Sequence, residues 1–112
     1  MAYSEELAER IQIILASLPI KLEVKKMMGG LCFMVDGKMC VGVMKDELMC
    51  RINPDVYDAS LKKPGCHQMD FTGRVMKGFV LVGPEGTDDQ NDLQYWVDLA
   101  LQFNPLAKAS KK

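Results

Sequence analysis

The sequence has little of what strong electrostatic binding, secretion or membrane insertion requires. Its formal net charge is -1 and it has a single histidine, so it has no overall basic field of the kind that holds nucleic-acid backbones. No apolar run approaches the roughly 18 residues that suggest a membrane span. The start, MAYSEELAER, lacks the basic and then apolar stretches of a secretory signal. We therefore expect a cytoplasmic protein without a membrane partner.

The four cysteines lack the spacing of a metal site. Zinc sites bring thiolates together through CxxC-type pairs, and no such pair occurs among Cys32, Cys40, Cys50 and Cys66. Cysteines of a reducing compartment are free thiols far more often than disulfides. We accordingly expect free cysteines, no metal and no cofactor.

A catalytic constellation is also missing. Cys66 and His67 are neighbours, but neighbouring side chains of an extended segment point to opposite faces, and no residue can be assigned to orient the imidazole. The Gly29-Gly30 pair fits neither GxxxxGK[ST] nor GxGxxG and precedes a strand pattern, not a helix. We predict that the protein is not an enzyme, and a thiol-based enzyme or redox protein that uses Cys66 and His67 remains an alternative.

What the sequence does have is a set of short apolar runs separated by turn signals. Asp36-Gly37 joins the runs Leu31 to Val35 and Met39 to Met44, and an Asp-Gly pair at this place is a strong signal of a type I′ hairpin. A third run, from Leu48 to Ile52, extends the hairpin into a three-stranded meander. A two-residue turn places Phe33 opposite Cys40 and Met34 opposite Met39.

In that register both faces of the meander are apolar. An antiparallel sheet usually leaves one face polar and solvated, so a helix of the same chain or a partner must cover the second face. Cys32 and Cys40 lie on opposite faces and cannot share a metal or a disulfide. The predicted faces are Leu31, Phe33, Val35, Cys40 and Met44 on one side, and Cys32, Met34, Met39, Val41 and Val43 on the other.

Helical patterns flank the meander. Apolar residues recur with a 3.6-residue period between Ser4 and Pro19, and again from Leu93 to Leu101. Asn53-Pro54 opens a short helix that Pro64-Gly65 ends, and two strands follow near 68–71 and 77–82. The order is helix, three-stranded antiparallel meander, helix, two strands, helix. This predicts one α+β domain over residues 1–104, with a disordered tail over 105–112.

One local basic cluster interrupts the otherwise balanced charge. Lys62, Lys63, Arg74 and Lys77 stand against a single acid, Asp70, between positions 62 and 77. Such a patch can contact phosphate or an acidic partner, although solvated loops more often explain a group of this size. Nucleic-acid binding through this cluster is therefore the alternative to a role based on protein contacts.

The order of several short motifs resembles the N-terminal domain of the TfoX/Sxy family. In that family an MFGG segment runs into a strand, a DGK turn and a second strand, and here Met28 stands where an aromatic residue is usual. The resemblance covers roughly residues 20 to 103, as a stand-alone copy of the domain. The motifs that carry it are Met28-Gly29-Gly30-Leu31-Cys32-Phe33, Val35-Asp36-Gly37-Lys38-Met39, Asp46-Glu47-Leu48 with Arg51, and the helix with Leu93, Trp96 and Ala100.

The resemblance implies an α+β fold similar to secretion-chaperone-like domains. It also implies a bacterial regulator of natural competence that works with a cyclic-AMP-dependent transcription activator, and no catalytic residues. We expect a small protein-interaction module whose partner belongs to the transcription machinery or is a second copy of the chain. The residues assigned to a structural or interaction role by the family motif are Met28, Gly29, Gly30, Phe33, Asp36, Gly37 and Lys38.

Overall fold

The computed structural model describes residues 4–27, 30–71 and 74–106, and of residues 27, 69–71 and 74–77 it describes the backbone only. Its described helices are α1 (Glu5–Ala16), α2 (Tyr57–Ser60) and α3 (Gln90–Phe103), with short 3-10 turns at Pro54–Val56, Pro84–Gly86 and Asn104–Leu106. None of the described helices is long and apolar enough to cross a membrane. The mixture of helices with an antiparallel sheet confirms the predicted α+β class.

The described strands form one antiparallel sheet. They are β1 (Leu22–Met27), β2 (Gly30–Val35), β3 (Lys38–Met44), β4 (Glu47–Arg51), β5 (Cys66–Phe71) and β6 (Arg74–Val82). Their order across the sheet is β1-β2-β3-β4-β6-β5. The last hairpin therefore joins the meander through β6, which leaves β1 and β5 at the two edges.

Strand β1 was not predicted, so the meander has four strands where the sequence indicated three. Its segment, LEVKKM, alternates apolar and polar residues only through Leu22 and Val24, after which two lysines follow. Edge strands commonly carry charged residues. The same charges weaken the alternating pattern by which a strand is recognised.

The β2–β3 hairpin matches the prediction at its turn and departs from it one residue further on. Asp36 and Gly37 both have positive φ, 54° and 82°, as a type I′ turn requires, and Met34 pairs with Met39. A register shift between Phe33 and Met34 then places Phe33 opposite Val41. The predicted Phe33–Cys40 pairing is wrong because a β-bulge inserts one residue into one strand of the pair.

The bulge changes which residues share a face. The sequence assigned Val41 and Val43 to one face of the meander, and Phe33 and Leu31 to the other. In the structure Val41 pairs with Phe33 and Val43 pairs with Leu31. Directly paired residues lie on the same face of a sheet, so these four residues share one face. Cys40 belongs to the main core and Cys32 does not. The predicted separation of the two cysteines is thus confirmed, whereas the predicted composition of the faces is not.

The main core lies between one face of the sheet and the helices. The Cys50 thiol donates to the Trp96 carbonyl of α3 at 3.8 Å, so α3 lies on the face that carries Cys50. The Arg10 guanidinium of α1 donates to the Thr87 carbonyl at 2.8 Å. This hydrogen bond connects α1 to the segment that precedes α3. The largest fully buried side chains of this core include Ile11, Leu15, Phe33, Leu48, Ile52, Leu93 and Trp96.

Candidate functional site

The described family-motif residues occupy positions that the backbone geometry demands. Phe33 is fully buried in the main core. A Cβ atom at Gly30 would collide with the Val43 carbonyl oxygen of β3, so this position has room for glycine alone. Met28 and Gly29 lie outside the described residues. Gly30 and Phe33 therefore serve the packing of the sheet.

The turn of the motif ties three parts of the chain together. The Lys21 amide donates to the Asp36 carboxylate at 3.1 Å, and the Asp36 amide donates to the Lys21 carbonyl at 2.9 Å. The Lys38 ammonium donates to the Asn104 carbonyl at 3.3 Å. Asn104 is buried, and its side-chain amide donates to the Val35 carbonyl at 3.3 Å. The turn thus anchors both the start of β1 and the end of α3.

The predicted basic cluster is described in part. Lys62 and Lys63 are exposed and follow α2. The Lys63 ammonium lies 4.7 Å from the centroid of the Tyr95 ring, a cation–π contact beside a cavity of about 230 Å³ whose lining includes Lys63, Tyr95 and Trp96. The side chains of Arg74 and Lys77 lie outside the described residues. The structure therefore places one member of the cluster against an aromatic ring.

Cys66 and His67 point away from each other, as alternation along a strand requires. Cys66 packs against the main core. The exposed His67 imidazole instead lies 2.6 Å from the Glu47 carboxylate of β4, a partner 20 residues away that no local spacing could indicate. Burial raises the pKa of the Cys66 thiol to about 11. The neutral thiol dominates at neutral pH, so the thiolate that a nucleophile needs is scarce.

The other three cysteines are buried and free. Burial raises the pKa of Cys32 to about 11 and that of Cys40 to about 12, and it raises the pKa of Cys50 well above its ordinary value. No group of three or more metal-ligating His, Cys, Asp or Glu side chains occurs within the described ranges. The buried thiols behave as small apolar side chains.

The sheet face opposite Phe33 and Cys50 carries sulfur-containing side chains that are themselves buried. The Cys32 thiol donates to the Met34 thioether at 3.6 Å, and the Met49 methyl group lies where a side chain at Gly42 would stand. Cys32, Met34 and Met49 retain exposures of 1%, 4% and 6%. The apolar patch that the sequence predicted here is thus largely withdrawn from solvent at these three residues.

Among the described residues, no strand pairs with the outer edge of β1, and this edge is called open below. The Asp36 amide donates to the Lys21 carbonyl, and in an antiparallel pair the backbone groups of successive residues point alternately toward and away from the neighbouring strand. The N–H and C=O groups of Leu22, Val24 and Lys26 therefore point away from β2. Glu23, Val24, Lys25 and Lys26 are all exposed, and the β1–β2 pairing has no register shift.

The side chains of β1 divide between the two faces of the sheet. Val24 is paired with Phe33, so it lies on the helix-covered face, where it is 40% exposed. Glu23 and Lys25 are paired with Met34 and Cys32 on the other face. The edge thus presents an apolar side chain on one face and two opposite charges on the other, a combination that the sequence prediction missed together with the strand.

Comparison with known proteins identifies the family of the chain. The family model described as the TfoX N-terminal domain matches residues 14–104, which is most of the chain and includes α1 in part and all six strands. No curated protein and no solved structure matches.

Proposed function

Because the chain belongs to the TfoX N-terminal domain family, we propose that it is a non-enzymatic, cytoplasmic protein-interaction module of a transcription or competence regulator. The family relation supports the regulatory role. The observation that supports action through protein contacts is the open β1 edge, whose outward backbone groups at Leu22, Val24 and Lys26 carry no strand partner among the described residues.

An open edge binds protein by adding a strand. Main-chain hydrogen bonds between the edge and an extended segment supply affinity, and the alternating side chains supply specificity. Here an incoming strand meets Val24 on the helix-covered face, and Glu23 and Lys25 on the other. The segment that fits has an apolar residue opposite Val24 and charges complementary to Glu23 and Lys25.

The experiment compares recovery of partners by three tagged forms of the chain: wild type, Val24→Pro and Val24→Thr. Proline lacks the N–H group and is tolerated at an edge position whose N–H faces solvent. Val24→Pro should keep the fold and lose the partner, since it removes one outward donor and its ring obstructs an added strand. Val24→Thr keeps the donor and the strand preference, so it should retain the partner.

Lysate treated with nuclease separates protein contacts from bridging by nucleic acid. A stoichiometric protein that survives nuclease, binds wild type and Val24→Thr, and is lost with Val24→Pro supports the proposal. Equal recovery with all three forms contradicts the use of this edge. Circular dichroism and thermal unfolding of the variants verify that each one is folded.

A second candidate function follows from the contact of Lys63 with Tyr95. A basic side chain beside an exposed aromatic ring is the combination by which proteins bind single-stranded nucleic acid, and Tyr95 is 41% exposed. The test is binding of a labelled oligonucleotide at several salt concentrations. Binding that falls steeply with salt and is weakened by Lys62→Ala plus Lys63→Ala supports this alternative, and binding insensitive to salt removes it.

A further inference from the structure

We propose that the segment that fits the open edge is β1 of a second copy of this chain, in an antiparallel pairing centred on Val24. This inference rests on the proposed use of the β1 edge for protein contacts. The resulting dimer would join the two sheets into one continuous sheet through a two-fold axis perpendicular to it.

The backbone geometry allows this register. A two-fold axis perpendicular to the sheet keeps the same face up in both copies, so a residue can pair only with a residue that shares its face. Centring on Val24 pairs Val24 with its own counterpart and Leu22 with Lys26 of the second copy. These residues have the outward N–H and C=O groups, so the pairing forms about six main-chain hydrogen bonds.

The charges of the edge select the same register. With Val24 at the centre, Glu23 of each copy stands directly opposite Lys25 of the other, which gives two pairs of opposite charge on the face away from the helices. Centring on Glu23 would instead oppose two carboxylates, and centring on Lys25 would oppose two ammonium groups. Like charges directly opposite each other destabilise a strand pair, so the neighbouring registers are disfavoured.

The apolar side chain at the centre favours the same partner. Val24 lies beside the buried Phe33 but is itself 40% exposed. In the Val24-centred pairing each Val24 side chain covers the other at the junction of the two sheets. The dimer therefore extends the helix-covered apolar face across the two-fold axis and removes apolar surface from water.

The opposite edge does not offer the same match. The β5–β6 pairing contains a register shift between Gln68 and Asp70, with the extra residues on β6, and such an irregularity interrupts the ladder of hydrogen bonds and increases the local twist of the pair. Bulges are one way in which proteins protect an edge from pairing. Self-pairing is thus assigned to β1 alone.

The first test measures mass by sedimentation equilibrium between about 1 and 200 μM, a range that detects dimers of micromolar affinity. Wild type should dimerise, and Glu23→Lys and Lys25→Glu should each weaken dimerisation at least about tenfold. The double variant Glu23→Lys plus Lys25→Glu restores opposite charges in the same register, so it should recover dimerisation. Val24→Pro should be a folded monomer.

The second test detects the register directly. Glu23 of one copy and Lys25 of the other form a non-hydrogen-bonded pair, whose Cα atoms lie about 4.5 Å apart and whose Cβ atoms are close enough for a disulfide. A mixture of Glu23→Cys chains and Lys25→Cys chains should therefore form an intermolecular disulfide under mild oxidation. Glu23→Cys chains alone are the matched control: the counterpart of Glu23 in the second copy lies two positions along the strand, so they should form far less disulfide.

The outcomes separate this inference from the proposed function. A wild type that stays monomeric throughout the range overturns the inference, as does a dimer that Val24→Pro or the charge reversals leave unchanged. If the chain is monomeric and Val24→Pro still abolishes capture of another protein, the edge binds a different partner and the proposed function survives. Dimerisation that follows the charge pattern, together with the disulfide between Glu23→Cys and Lys25→Cys chains, supports the second copy.

Discussion

The two edges of the sheet are built differently although they belong to one domain. β1 is regular, exposed along Glu23–Lys26 and paired with β2 without a register shift. β5 has a register shift after Gln68, and its His67 side chain is bound to Glu47, across the intervening strand β6. An unpaired edge is a hazard that proteins usually suppress. This contrast is the reason why we propose pairing at β1 and not at β5.

The largest effect is expected within β1 itself, from proline at neighbouring positions. Lys25 directs its N–H toward β2, so Lys25→Pro should remove a ladder hydrogen bond, leave an acceptor of β2 unsatisfied and cost about 3 kcal/mol of unfolding free energy. Val24→Pro should cost less than about 1 kcal/mol because its N–H faces solvent. Urea unfolding of both variants measures the difference, and equal losses would contradict the assigned orientation of β1.

The middle of the sheet should tolerate less change than the outward side of either edge. Gly42 lies between Cys32 and Met49, and a Cβ atom there would lie 2.7 Å from the Leu31 carbonyl oxygen and 2.8 Å from the Met49 methyl group. Gly42→Ala should therefore cost about 2 kcal/mol through overpacking. Met49→Ala combined with Gly42→Ala relieves the methyl contact only, so a complete rescue in thermal unfolding would show that the backbone contact is harmless.

The cysteine thiols allow the pH response of the core to be compared with that of the sheet edge. A thiol whose pKa is raised on folding keeps its proton when the unfolded chain has lost it, so its contribution to stability is complete below the unfolded pKa near 8.5 and falls as pH rises above it. For Cys40, whose pKa is raised to about 12, the loss should be about 1.4 kcal/mol per pH unit between pH 9 and 11.

Urea unfolding at pH 8 and pH 10 tests this dependence. Cys40→Ala should reduce the slope of unfolding free energy against pH, while Lys26→Ala, at the exposed edge, serves as a control for general charge effects. An unchanged slope in Cys40→Ala would show that this thiol does not set the pH dependence.

At the β5 edge, the rate of alkylation of Cys66 should rise as the pH approaches the thiol pKa of about 11. A rate that levels off near pH 8.5, the pKa of a free thiol, would contradict the raised pKa.

The smallest effect is expected at the β5 edge. The side chains of His67 and Glu47 are 50% and 27% exposed, and ion pairs or hydrogen bonds at such positions contribute less than about 1 kcal/mol. Glu47→Gln should thus leave the unfolding free energy almost unchanged. A double-mutant cycle with His67→Ala measures the coupling, and a coupling above about 2 kcal/mol would assign the pair a larger structural role.

The sequence was informative where the signal is local. Asp36-Gly37 identified its turn because both residues tolerate positive φ, and the periods of α1 and α3 identified these helices because each buries one face. The sequence was uninformative about features that depend on residues distant in the chain. The bulge beside Phe33 and the pairing of His67 with Glu47 depend on neighbouring strands, and β1 carries charges that hide its alternation.

The contact between Arg10 and Thr87 has a consequence for how the chain acquires its structure during synthesis. Its two residues are 77 positions apart, so α1 leaves the ribosome well before its carbonyl partner has been made. Completion of the sheet is delayed in the same way, because β4 pairs with β6, which is synthesised later. Closure of nonlocal contacts is slow. Part of the packing of α1 is therefore completed only after the last strand has been made, although its contacts with β3 can form earlier.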